Sequence, residues 1–209
     1  MTWEPIAIVV SLWFATGMTC ASNLYRRGHD GWHWMFNCGL TGPLAFLVVA
    51  DRARTVERDI RPRTIARSGT PGDGVTVVVP AAAVGAVNAH VLEHLGLHVG
   101  RVAVATTVTY EHSVGIAWDG VQGSTRATHA VADQRFAPHT VELVVLPGKV
   151  ADTLARWAGE NAPAAIVTTR RAQHPRTLGR LTRLAAEHPG VSVVVLDPAS
   201  LAAGTVRAA

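Results

Sequence analysis

VELVVLPGKVADTLARWAGENAPAAIVTT, residues 141–169, decides the fold. Its ends are apolar runs of strand length, VELVVLP (141–147) and AAIVTT (164–169), and Val150–Asn161 between them reads as a helix. Strands that lack polar alternation belong in a parallel sheet covered on both faces. Working outward, VTVVVP (75–80) and RVAVATTV (101–108) are further strands upstream, and VSVVVLD (191–197) is one downstream. Residues 82–96 carry helical spacing at Val84, Val87, Val91 and Leu95, and Arg176–His188 sets Leu178, Leu181, Leu184 and Ala185 on one side. Ser124–Phe136 reads as a helix capped by Ser124, while 109–123 fits neither period. Five strands alternating with helices predict one five-stranded parallel, doubly wound α/β sheet. A ligand of such a sheet sits beyond the carboxyl ends of the strands, at the switch point.

Upstream the composition changes. The chain has 209 residues, 48% hydrophobic and 16% charged, with a mean hydropathy of +0.21, whereas a soluble domain is usually about a quarter charged. Pro5–Tyr25 runs 21 residues without a charge, and Trp32–Ala50 runs 19 residues without Asp, Glu, Lys or Arg. About 20 apolar residues cross the hydrocarbon core as a helix. Trp3, Trp13, Tyr25, Trp32 and Trp34 supply a partial aromatic belt. RRGHDG (26–31) joins the two runs, which predicts a hairpin of two transmembrane helices over 1–50. A signal or single anchor is the alternative for the first run, although the start, Met-Thr-Trp-Glu, lacks the basic region of a cleaved signal. Gly17 and Ala21 have the small-xxx-small spacing of a close helix contact, and the hairpin brings Cys20 and Cys38 to similar depth. Small residues at a helix contact are the plain reading of the cysteines, with a disulfide or metal pair as the alternative.

The net charge of +4 resides in a short segment: residues 51–71 carry six arginines against three acids, and 72–209 carry eleven basic against ten acidic residues. The heavier basic flank stays in the cytoplasm. A hairpin then has both ends inside and RRGHDG outside, with the α/β domain on the cytoplasmic side of the inner membrane and lipid as a partner. Because the excess is not on a folded face, nucleic-acid binding is excluded. Hydrophobic content excludes a disordered chain, and two cysteines exclude a disulfide scaffold or a Cys-rich zinc module. The expected organisation is a membrane hairpin over 1–50, a basic linker over 51–74 ending in SGTPGDG (68–74), an α/β domain over 75–198 and a flexible tail over 199–209.

Two resemblances go further. VELVVLPGKVADTLARWAGENAPAAIVTTRR followed by TLGRLTRLAAEHPGVSVVVLDP resembles the universal stress protein family, over about residues 75–198. Gly148, Leu154, Ile166, Val167, Gly179 and Val193–Val195 fall where that family's pattern has them. The resemblance implies a Rossmann-like fold. In ATP-binding members it implies an acid after the first strand, a Gly-x-x-Gly phosphate loop and a Gly-Ser or Gly-Thr step. Here those places read Pro80-Ala81, Thr169-Arg170-Arg171-Ala172 and Gly179-Arg180, so Gly179 alone survives. GHDGWHWMFNCGLTGPLAF resembles a recurring bacterial membrane hairpin, which implies anchoring.

Two constellations carry possible chemistry. Arg170, Arg171, Arg176, Arg180 and Arg183 follow the fourth strand. They are either an anion site in which guanidinium groups replace the glycine cradle or, since 176, 180 and 183 have helical spacing, a solvated helix face. His90-Val91-Leu92-Glu93-His94 matches H-x-x-E-H, an inverted zinc-peptidase pattern, but no third ligand accompanies it. No G-x-S-x-G, Walker loop or G-x-G-x-x-G is present. The expected function is a non-enzymatic, membrane-anchored regulatory or interaction module, partnered by a second copy through its last strand or by a membrane protein. The alternatives are a sensor of ATP, AMP or another phosphate-containing ligand, and a zinc hydrolase using His90, Glu93 and His94.

Overall fold

A computed structural model describes residues 3–47, 51, 54–55, 60–69, 72–113 and 116–197. The expected tail over 199–209 lies outside the described residues. The chain forms two compact units: Met1–Arg61 with Val108–Ala117 and Pro147–Lys149, and the remainder.

The first unit is built on α1 (Glu4–Arg27) and α2 (Gly31–Thr41). In α1, Glu4 lies in the first turn and Arg26 and Arg27 in the last, a distribution that complements the helix dipole. The helix closes on Gly28, whose φ of 102° is left-handed and whose N–H reaches the Leu24 and Tyr25 carbonyls; a side chain there would be strained. Asp30 caps α2, its carboxylate accepting from the Trp32 N–H at 3.0 Å. A Cβ on Gly17 would collide with the Cys38 carbonyl, so the bare backbone sets the closest approach of the two helices. Cys20, Ala21, Leu24, Cys38 and Ala45 are buried together there, and both cysteines are free thiols.

Among the described residues the expected second span is not one continuous helix. α2 ends after 11 residues at a 3-10 turn, Gly42–Leu44, because Pro43 has no N–H with which to continue the ladder. Trp13 Nε1 donates to the Leu40 carbonyl at 3.1 Å and seals that end against the middle of α1. Among the described residues one helix, α1, is long and apolar enough to cross a membrane by length and composition.

The second unit is an α/β sheet of six strands: β1 (Arg63–Ser68), β2 (Val75–Pro80), β3 (Val99–Val108), β4 (Thr140–Pro147), β5 (Ala165–Thr169) and β6 (Ser192–Leu196). Their order is β1-β4-β3-β2-β5-β6. β2 pairs in parallel with β3 and β5, and β5 with β6. Chain order reverses across β2 and β5, the switch point of a doubly wound sheet. Period-two alternation sends Val77 and Val79 to one core and Val78 to the other. The first core gathers Val87, Leu92, Val104, Phe136 and Leu143. The second gathers Leu146, Leu154, Trp157, Ile166, Leu181 and Leu184.

Helices α3 (Ala89–His94), α4 (Ile116–Phe136), α5 (Val150–Asn161) and α6 (Pro175–Glu187) join the strands. Two expected boundaries change. The pattern over 82–96 divides into a 3-10 turn, Ala81–Ala83, and the short α3, whose Asn88 cap accepts from the Val91 N–H at 2.9 Å. α4 begins at Ile116, so Ser124 is inside the helix, its Oγ bonded to the Val121 carbonyl at 3.0 Å, rather than at its cap.

The sixth strand is the larger departure, since β1 lies within the stretch expected to be a basic linker and pairs antiparallel with β4. Its anchor is Glu142, buried on β4 and bonded by Thr64 Oγ1 at 2.6 Å, Arg101 at 3.1 Å and Arg67 at 3.2 Å. Burial pushes this carboxyl up, but the Thr64 hydroxyl and the Arg67 and Arg101 guanidinium groups outweigh it and hold it below the usual range. A depressed folded value means that the stabilisation is present at neutral pH and is lost as pH falls through that value. Glu142→Ala in the full chain is expected to cost about 1.5–3 kcal/mol, the range for hydrogen bonds to charged groups, read as a lower urea midpoint. The cost should shrink on acidification, and an unchanged midpoint would remove Glu142 as the anchor of β1.

Candidate functional site

Beyond the carboxyl ends of β2, β3 and β4 the second unit has a cavity of about 270 Å³, at the lower end for small-molecule sites. Pro80, Ala81, Ala82, Ala105, Leu146, Val150 and Leu154 make its apolar wall, and Ala172 comes from the loop after β5. The polar side chains on it are Thr106, Thr107 and Gln173. Gln173 is 9% exposed. Thr106 Oγ1 is buried without a partner, and a buried hydroxyl left unbonded costs about 1–3 kcal/mol.

Of the residues expected to hold an anion, only Pro80 lines the cavity. Thr169 is buried at the end of β5, and its Oγ1 accepts from the Ala172 N–H at 3.2 Å. That amide also reaches the Thr169 carbonyl, and the Arg170 N–H donates to the Leu196 carbonyl at 3.2 Å. Two amides of the loop that would cradle a phosphate are therefore already used. Arg170, Arg171, Arg176 and Arg180 are exposed. Arg180 forms an ion pair with Asp152, from α6 to α5. Gly179 lies inside α6, where nothing would meet an added Cβ, so it is not a turn glycine approaching a ligand. The first turn of α6 is closed by His174, whose Nδ1 accepts from the Arg176 N–H at 3.3 Å.

The H-x-x-E-H pattern falls on α3, with the His90 and His94 rings 4.2 Å apart, edge to face. One nitrogen of each ring has a neighbour: His94 Nδ1 lies 2.8 Å from the His90 carbonyl and His90 Nδ1 lies 3.7 Å from Glu93. Among the described residues no group of three His, Cys, Asp or Glu is placed to hold a metal.

A constellation that sequence reasoning passed over lies in the first unit. Glu111, on the 3-10 turn Glu111–Ser113, takes His29 Nδ1 and Trp34 Nε1 on Oε1 and the Asp30 N–H on Oε2, each at 2.7 Å. His29 is buried, with its ring 4.8 Å from that of Tyr110. The Tyr110 N–H reaches the Gly28 carbonyl at 3.4 Å. Burial pushes the Glu111 carboxyl up, but the His29, Trp34 and Asp30 bonds outweigh it and bring it from 4.5 to about 2. Its signal in the sequence is weak: one acid after a strand, and a His-Asp pair 81 and 82 residues upstream of it.

Arg180→Ala tests whether the arginine face is more than a solvated surface. An exposed ion pair contributes about 0–1 kcal/mol, so the urea midpoint should barely move. A large drop would show that Arg180 has a structural partner beyond Asp152.

No family model matches the chain, and no curated protein matches it. A crystal structure of a universal stress protein in complex with cAMP superposes with a TM-score of 0.42 and 17% identity, covering 60% of this chain and 98% of that one.

Proposed function

We propose that the chain is a membrane-anchored regulatory or interaction module of universal stress protein type, which recognises a ligand or partner without converting it. The observation that carries the anchor is the apolar face of α1: Ile6, Ile8, Val9, Val10, Leu12 and Phe14 are all more than half exposed, a run that costs too much in water and nothing in lipid. The non-enzymatic part of the reading rests on the cavity lining. Hydroxyl and amide groups do not titrate near neutral pH, so Thr106, Thr107 and Gln173 can bind but cannot act as general acid or base. β6, at the edge of the sheet, is the surface we assign to pairing with a second copy.

Alkaline carbonate tests the anchor. The full chain should stay with the membrane pellet, and Val9→Arg with Leu12→Arg should release it, since each arginine near the centre of a span costs about 3 kcal/mol. Release of the unaltered chain would end the reading.

The sensor reading survives in altered form because Gln173 favours it. An amide offers a donor and an acceptor side by side, the complement of a nucleobase edge, whereas no arginine lines the cavity. Titration of the detergent-solubilised full chain with adenosine, AMP and ATP should give affinities within about tenfold of one another, that is within about 1.4 kcal/mol. Arg170→Ala with Arg171→Ala should leave them unchanged, and Gln173→Leu should weaken all three. Much tighter AMP binding that depends on the arginines would restore the anion site, and no binding at all would leave the interaction module alone.

A further inference from the structure

α1 has 24 residues and is about 36 Å long, enough for a hydrocarbon core of about 30 Å. α2 has 11 and reaches only about 16 Å. It turns at Gly42 beside Trp13, midway along α1. Beyond that turn the chain comes back. Ala45 is buried with Cys20, Ala21 and Leu24. Phe46 and Arg54 share a cleft of about 260 Å³ with Asn23, Leu24 and Arg27, near the end of α1 that enters the α1–α2 turn. The chain thus dips to half depth and returns to the level at which it entered.

That level is polar. Both Glu111 oxygens are bonded by groups of the turn and of α2's start, so the turn and the Glu111 loop share one side. An ionised carboxylate with three donors does not belong in hydrocarbon. Trp32, 81% exposed, and Tyr25 mark this interface, and Trp3, 75% exposed, marks the other end of α1. The apolar exposure lies between: Val9 and Leu12 on α1, Phe36 and Leu40 on α2, and Leu44 and Leu47 after it.

The partner of this surface is a bilayer. Resting on the anchoring proposed above, we infer that α1 crosses it once while α2 enters and leaves from the same side, with the amino end of α1 outside and the α1–α2 turn and Glu111 loop in the cytoplasm. A two-helix hairpin spreads the arginines to both sides, with Arg26 and Arg27 opposite the six of residues 51–71. The re-entrant path puts Arg26, Arg27 and Arg54 on one side and leaves Glu4 on the other, which is the distribution that the positive-inside bias requires.

Site-specific labelling tests the path. Glu4 and His112 are exposed, and the native Cys20 and Cys38 are buried, so the unaltered chain is the control. Glu4→Cys and His112→Cys are made separately in the full chain and treated with a membrane-impermeant maleimide, before and after lysis of bacterial spheroplasts. Glu4→Cys should react in intact spheroplasts, and His112→Cys only after lysis. Equal behaviour of the two sites, or the reverse pattern, overturns the inference. An amino-terminal protease-cleavable epitope, cut in intact spheroplasts if the inference holds and spared if it fails, provides a readout that needs no substitution. Carbonate release of the unaltered chain would instead sink the anchoring reading, a result separable from a wrong path through a membrane that still retains the protein.

Discussion

A strand flanked by neighbours on both sides and by helices on both faces has no direction in which a polar side chain can reach water. β2 is in that position, hydrogen-bonded in parallel to β3 and β5, with Val77 and Val79 in one core and Val78 in the other. Each fully buried valine of this kind contributes about 1.5–3 kcal/mol by leaving water. The arrangement also forces every connection between parallel strands to cross a face of the sheet, which is why helices alternate with strands. Chain order reverses where β5 takes the other side of β2, and no crossover covers the strand ends there.

The cavity follows from that reversal, and its character follows from what the strands carry as they leave the core. β2 exits on Pro80, Ala81 and Ala82, β3 on Ala105, Thr106 and Thr107. Small and hydroxylated residues make a recess with few charges. In the loop after β5 the Arg170 N–H donates to Leu196 and the Ala172 N–H to Thr169, and the arginines there are exposed. The cavity is therefore lined by hydroxyl and amide groups and small apolar side chains, with no arginine among them.

The helical unit answers a different constraint. Polar and backbone groups that are buried must find their partners within the protein. Asp30 caps α2 and Trp13 holds the carbonyl at its far end. Glu111 collects three donors from the turn region. Pro43 ends the α2 hydrogen-bond ladder, and the bare face of Gly17 lets α2 lie close enough to hide Cys20 and Cys38.

Period and run length by themselves determined β2 through β6, α5, α6 and the long apolar α1, because strands and helices of this kind are dictated by neighbours within a few residues. The same local logic read 32–50 as a span, although Pro43 stood within it. Tertiary structure alone decided the rest. β1 is a polar, arginine-bearing edge strand, visible only once Glu142 lies beside Thr64, 78 residues away. The Glu111 cluster joins groups 77 to 82 residues apart. Which side chains face the cavity depended on where β5's loop folds, which brought Gln173 in and left Arg170 and Arg171 out. Local periodicity records how much of a residue is buried, whereas the partner it meets is set by long-range pairing, which leaves no repeat along the chain.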